Sequence, residues 1–255
     1  MGGINTRNVL RKYSSFKSSQ NNVLARVLTS IFLIGALLVG MFILPQWLWG
    51  LMLILPITMV AVEYSRLFGW DQKLRVGFLL TIVGLCLVPF LLFDQFNELV
   101  SVIGMVISWA AVLFWMLLVP FLIRYRFQTK NYICNAVIGI LVIVPAWFGM
   151  VGLHTYPYAL LGVLVGVWLV DIAGYFIGRE FGKIKLLPSV SPGKTREGVL
   201  GGFVSVCVYG LGLSLAFEHV FTMAQWILFV IIVFAFTAIA VLGDLFESFL
   251  KRSGG

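Results

Sequence analysis

Residues Ser189 to Gly202, reading SVSPGKTREGVLGG, gather two cations, two serines, a Pro-Gly pair and several glycines into one polar loop, in a 255-residue chain where only 11% of residues are charged. Such a loop is where chemistry would sit. The residue before Pro192 is kept from helical geometry, so Ser189 and Ser191 are expected in an extended stretch, with Pro192-Gly193 in a turn and a helix starting just after. At that helix start Thr195, Gly198 and their neighbours would offer backbone N–H groups while Lys194 and Arg196 add positive charge, together a cradle for phosphate. The triplet Gly193-Lys194-Thr195 is not a P-loop. That motif needs a glycine five residues before Gly193, where Pro188 stands, and no soluble βαβ unit precedes it.

Carboxylates flank the loop on both sides. Asp171 lies inside the apolar stretch before it, about seven residues from the end, which at ~1.5 Å per residue is on the order of 10 Å deep. An ionised acid there persists only beside a wet cavity, a cation or a basic partner, so it reads as a functional-site residue. A structural ion pair with Lys194 or Arg179 is the plainer alternative. Asp244 and Glu247 are three apart and share a helix face, and Lys251, four beyond Glu247, can pair with it. Hard oxygen ligands from Asp171, Asp244 and Glu247 on two helices would suit Mg²⁺, which binds through one or two carboxylates plus substrate phosphates. Acids and cations approaching one membrane face point to a phosphate-bearing ligand.

The elements that must position these residues are membrane spans. The chain is 61% hydrophobic and falls into blocks long enough to cross a ~30 Å hydrocarbon layer. Spans are expected near 24–44, 46–62, 76–93, 99–123, 132–153, 158–177, 199–217 and 220–243. The runs are continuously apolar rather than alternating, which excludes a β-barrel. The expected fold is therefore an all-α, polytopic bundle of about eight transmembrane helices. All eighteen Lys and Arg fall on one side of this arrangement. Arg7, Arg11, Lys12, Lys17 and Arg26 precede or open the first span; Arg66, Lys73 and Arg75 lie at the second connection, and Arg124, Arg126 and Lys130 at the fourth. Arg179, Lys183, Lys185, Lys194 and Arg196 follow the sixth span, and Lys251 and Arg252 the last. The opposite connections hold no Lys or Arg, and Asp94, Glu98, Glu218, His154 and His219 are their only acidic or histidine side chains. Both termini are thus expected on the cytoplasmic side, and a seven-span chain would break the alternation. The organisation expected is a polar basic tail over 1–23, five spans over 24–157, and a catalytic-type region over 158–255 containing the cytoplasmic loop 178–198.

The sequence pI near 9.6 follows from this topology and anionic headgroups rather than from nucleic acid, for which no motif is present. The first apolar run has no cleavage site of small residues after it and is expected to stay as a helix. Cys86, Cys134 and Cys207 lie in separate spans without paired spacing or nearby histidine, as buried small apolar residues rather than zinc ligands. His154 and His219 lie on the side away from the charged loop and are not candidates. Small-xxx-small pairs at Gly162/Gly166, Gly174/Gly178, Gly178/Gly182 and Gly198/Gly202 predict close packing of the sixth and seventh spans.

With VDIAGYFIGREFGKIKL before it and VLGDLFESFLKR after it, SVSPGKTREGVLGG closely resembles the phosphatidate cytidylyltransferase (CDP-diacylglycerol synthase) family, strongly over about the last hundred residues and elsewhere by hydropathy alone. The resemblance implies a polytopic inner-membrane enzyme that joins CTP to phosphatidic acid, releases pyrophosphate and makes CDP-diacylglycerol, with Mg²⁺ and often as a homodimer. The matching positions are Asp171, Ser191, Pro192, Gly193, Lys194, Thr195, Glu197 and Gly198, then Gly243, Asp244, Glu247, Lys251 and Arg252. Asp171, Lys194 and Asp244 are the expected catalytic residues. Arg196 joins Ser191 to Gly198 with Lys251 and Arg252 in binding substrate, and Asp171, Asp244 and Glu247 are the expected metal ligands. The family pattern continues with a Lys-Asp step, a His-Gly-Gly turn and an acidic cluster, whereas this sequence stops at Gly255, so it reads as C-terminally truncated relative to the family. An inactive truncated relative is one competing expectation. A secondary transporter, with Asp171 binding a coupling ion, is another; the spans show no evident inverted repeat, and the candidate residues cluster at one face rather than at the midplane.

Overall fold

The computed structural model describes residues 25–91, 97–126, 129, 131–216 and 222–253. Helix α1 covers Ala25–Phe42, α2 Gln46–Leu67, α3 Gln72–Leu91 and α4 Asn97–Leu113. A π-helical turn, Phe114–Leu118, joins α4 to α5, Val119–Tyr125. Then come α6, Tyr132–Leu153, and α7, Pro157–Phe181. Two short strands follow, β1 over Lys185–Leu187 and β2 over Ser191–Thr195, and after them α8, Arg196–Ala216, and α9, Met223–Ser253. Among the described residues, seven helices are long and apolar enough to cross a membrane. The helix α3 takes the place of the third predicted span without being one of the seven. The chain is an all-α polytopic bundle with one small hairpin. Its compact units divide after Trp49, and Gly50–Gly255 form the second, which holds every residue of the candidate site.

Stripes of large apolar side chains stand exposed along this second unit, such as Leu200, Val204 and Val208, one turn apart on α8 at 62%, 50% and 63% exposure. In water that stripe would be an association hazard; against acyl chains it is the natural outer face of a spanning helix. Inside, α7 and α8 pack through glycine, as their spacing predicts. A Cβ on Gly198 would lie 2.6 Å from the Gly174 carbonyl oxygen and 3.2 Å from Gly178 Cα, and one on Gly202 would lie 3.2 Å from Val170. The prediction fails in part for the outer pair, since Gly166 abuts Phe236 of α9 and Gly162 has only the Tyr209 hydroxyl near it. Val170, Val206 and Val233 then close a small core among α7, α8 and α9. Elsewhere Tyr64 and Phe78 nest against Gly139 of α6 with Trp70 edge-on to both rings, and the Tyr64 hydroxyl donates to the Asn135 carbonyl at 2.7 Å.

The hairpin departs from the expected local structure. The turn lies at residues 188–190, closed by the Val190 N–H donating to Leu187 O at 3.1 Å, while Pro192 and Gly193 sit within β2. Two prolines competed for the turn, and Pro188 occupies the position after Leu187, where a fixed φ suits the first central residue. Val190, 3% exposed, is locked between α5 and α9 with Leu186 and Leu187 beside it, which fixes the choice. Pairing runs Lys185 to Thr195 and Leu187 to Ser191 with a register shift between, so Pro192, Gly193 and Lys194 bulge opposite a single residue. A bulge tolerates proline and re-aims side chains.

Candidate active site

Asp171 from α7, Lys194 from the β2 bulge and Asp244 from α9 line one cavity of about 630 Å³. Each is placed by something the sequence builds locally. Helix α7 runs to Phe181, past the predicted end at 177, because Ile177 and Gly178 continue against α8 rather than leaving the bundle. Asp171 thus sits in mid-helix on the cavity wall, with its side chain exposed. At 31 residues α9 is about 46 Å long, well beyond a ~30 Å hydrocarbon core, and its last third carries Asp244 and Glu247 along the cavity wall.

Charge pairing within the site differs from the plain alternative. Lys194 Nζ forms an ion pair with the Asp244 carboxylate, the two side chains being 21% and 42% exposed. Asp171 has Asp244, Lys194 and Glu247 as its electrostatic neighbours but makes no ion pair among the described residues. Arg179, the other suggested partner, instead lies 3.8 Å from Glu180, with both side chains 66% exposed. Glu247 and Lys251 pair at 2.5 Å as their i,i+4 spacing predicts. The cavity therefore has three carboxylates on its wall and one lysine already bound to one of them.

The loop residues divide between lining the cavity and holding the loop in place. Ser191, Gly193, Lys194, Thr195 and Gly198 reach the cavity, as does Gly243. Pro192, Arg196, Glu197, Lys251 and Arg252 do not line it. Thr195 is 3% exposed and its Oγ1 accepts from the Gly198 N–H at 3.1 Å, the bond of an N-cap. The Arg196 N–H donates to Ile184 O at 2.9 Å. Glu197 reaches back so that its carboxylate oxygens accept from the Ile184 N–H at 3.2 and 3.3 Å. Two of the N–H groups expected to be open at the start of α8 are therefore already used. The Arg196 and Gly198 donors are consumed internally, since a helix N-terminus packed this tightly must satisfy its own donors. The side-chain cations on the cavity wall are Lys194 and Arg179.

Two polar side chains outside the expected set of substrate and metal ligands also line the cavity: Tyr175, and Arg179, which the sequence suggested only as an ion-pair partner of Asp171. The signal was available, because Asp171, Tyr175 and Arg179 follow at intervals of four and so share a helix face. No group of three or more His, Cys, Asp or Glu is close enough to form a metal cage among the described residues. The predicted triad Asp171, Asp244 and Glu247 is brought to one cavity without converging on a point, which leaves one or two carboxylates as the protein's share of any Mg²⁺ shell, within that ion's habit.

The profile of the cytidylyltransferase family matches residues 24–255. A phosphatidate cytidylyltransferase of Pseudomonas aeruginosa is 31% identical over 237 residues, covering 90% of this chain and 84% of that protein. One from Haemophilus influenzae is 30% identical over 256 residues, 90% of this chain and 86% of its own length. One from Aquifex aeolicus is 42% identical over 99 residues, 38% of this chain and 35% of that one. The three helices and the hairpin that build the cavity are thus those of a chain belonging to the cytidylyltransferase family.

Proposed function

We propose that the protein condenses CTP with phosphatidate to CDP-diacylglycerol and pyrophosphate for phospholipid synthesis, as a multi-pass protein of the cytoplasmic membrane with its basic loops and both termini in the cytoplasm. The observation that carries the reading is the Lys194–Asp244 pair beside Asp171 in one cavity among spanning helices, in a chain whose relatives bear that enzyme's name. A lipid-phosphate oxygen attacks the α-phosphorus of CTP, a new P–O–P bond forms, the α–β bond breaks, and pyrophosphate leaves with its electron pair. No side-chain nucleophile is required. Transfer of this kind depends on positioning and on neutralising charge.

Asp171 and Asp244 are the residues that would hold Mg²⁺, with Glu247 close by, and substrate phosphates would complete the shell. When bound, the ion supplies charge neutralisation at the phosphates. Lys194 meets the triphosphate, and Thr195 and Glu197 keep the bulge that presents it. The glycine seam lets the loop approach α7 closely enough for Lys194 and Asp171 to share the cavity. A homodimer is part of the same proposal and is checked by particle mass in detergent. The direct test supplies the purified protein with labelled CTP, phosphatidate and Mg²⁺. CDP-diacylglycerol and pyrophosphate in equal amounts support the proposal, whereas CTP recovered intact overturns it.

A further inference from the structure

We propose that Arg179 holds the phosphomonoester of the lipid substrate at the cavity mouth, with the acyl chains lying along Ile172 and Phe176 of the same helix. The inference rests on the proposed reaction and assigns the lipid half of its site. Ile172, Tyr175, Phe176 and Arg179 are spaced i, i+3, i+4 and i+7, so they form one stripe on α7. All four are exposed, the first three at 55%, 60% and 58%. Tyr175 and Arg179 also line the cavity. The stripe is therefore the border between the cavity and the apolar outer surface, where a lipid can keep its tails in the bilayer while its headgroup turns inward.

Depth agrees with this. Arg179 is in the last turn of α7 and about 12 Å along the axis from Asp171, at headgroup level if Asp171 is in the hydrocarbon region. Charge agrees as well. Arg179 and Lys194 are the cations on the cavity wall, and Lys194, paired with Asp244, is the one assigned to the triphosphate. The Arg179–Glu180 contact at 3.8 Å is between two side chains both 66% exposed, a pairing of small worth that a dianionic phosphate readily replaces. A guanidinium fork engages two oxygens of a terminal phosphate at once. A phosphodiester headgroup carries less charge and one terminal oxygen fewer, so the same residue gives selectivity for phosphatidate over diester lipids.

The phosphate bound could instead belong to the nucleotide, and the experiment separates the two. Full-length protein in detergent is titrated with short-chain phosphatidate, with phosphatidylglycerol of the same chains, and with CTP plus Mg²⁺, using wild type, Arg179→Gln and Arg179→Lys. Binding is read by calorimetry and therefore does not depend on turnover. Arg179→Gln is expected to weaken phosphatidate binding about tenfold, to erase the preference over phosphatidylglycerol, and to leave CTP binding unchanged. Arg179→Lys should keep the charge and lose the fork, giving an intermediate affinity. Weakened CTP binding with phosphatidate unaffected overturns the assignment, as do equal affinities in all three proteins or no phosphatidate binding by wild type. Phosphatidate binding that depends on Arg179, in a protein that makes no CDP-diacylglycerol, would preserve this inference while removing the proposed reaction.

Discussion

Lys194 is the residue at which charge and position separate most cleanly. Its ammonium sits on Asp244 inside the cavity, so Lys194→Met removes a cation from the triphosphate's path and leaves Asp244 unpaired. The expected outcome is a rise of about tenfold or more in KM for CTP, since a hydrogen bond to a charged group contributes roughly 1.5–3 kcal/mol, with phosphatidate KM little changed; initial rates over a CTP series check it. Thr195 makes the complementary case, because its buried Oγ1 caps α8 through the Gly198 N–H. Thr195→Val should cost about 1 kcal/mol of stability and Thr195→Ser should retain most of it, as read by thermal unfolding in detergent. The carboxylates were legible in the sequence because an acid inside an apolar run and an i,i+3 pair are local patterns. The partner of Lys194 was not legible. Asp171 and Asp244 lie on different helices, and only the bulge at Pro192–Lys194 decides which one the lysine meets.

At the scale of elements, the α7–α8 seam carries the site. A Cβ on Gly198 would meet backbone at 2.6 Å, whereas one on Gly212 of the same helix meets nothing within 4 Å. Gly198→Ala should therefore destabilise by about 1–3 kcal/mol, the usual cost of overpacking, and reduce turnover; Gly212→Ala should be neutral or slightly stabilising, as alanine in an open helix position is. Thermal unfolding of the two variants side by side makes the comparison. Spacing in the sequence announced this seam, and the helix Tyr132–Leu153 falls on the span predicted for it. The turn of the hairpin and the π-helical turn were not announced. The first was decided by burial of Val190. The second places Phe114 and Trp115 edge-on to Phe246, at 6.0 and 5.7 Å, with the Val119 N–H bonded to Phe114 O. Both depend on a partner distant in sequence, and periodicity within one segment carries no trace of it.

For the whole molecule, the one-sided distribution of Lys and Arg sets the proposed orientation. In a background with Cys86, Cys134 and Cys207 replaced by alanine, Lys183→Cys should be labelled by an impermeant maleimide only after the cells are opened, and Tyr156→Cys without opening them. The reverse pattern would invert the orientation and place the cavity on the wrong side for CTP. Asp244 is the centre of the proposed site: it is bound by Lys194, neighbours Asp171 and is carried by the end of α9 that outlasts the hydrocarbon layer. Its most direct test is Mg²⁺-dependent formation of CDP-diacylglycerol by wild type and Asp244→Asn at equal membrane content. The prediction is product from wild type and a loss of at least about a hundredfold in the variant, the scale on which removal of one charge-stabilising group acts. Equal rates from the two proteins would contradict it.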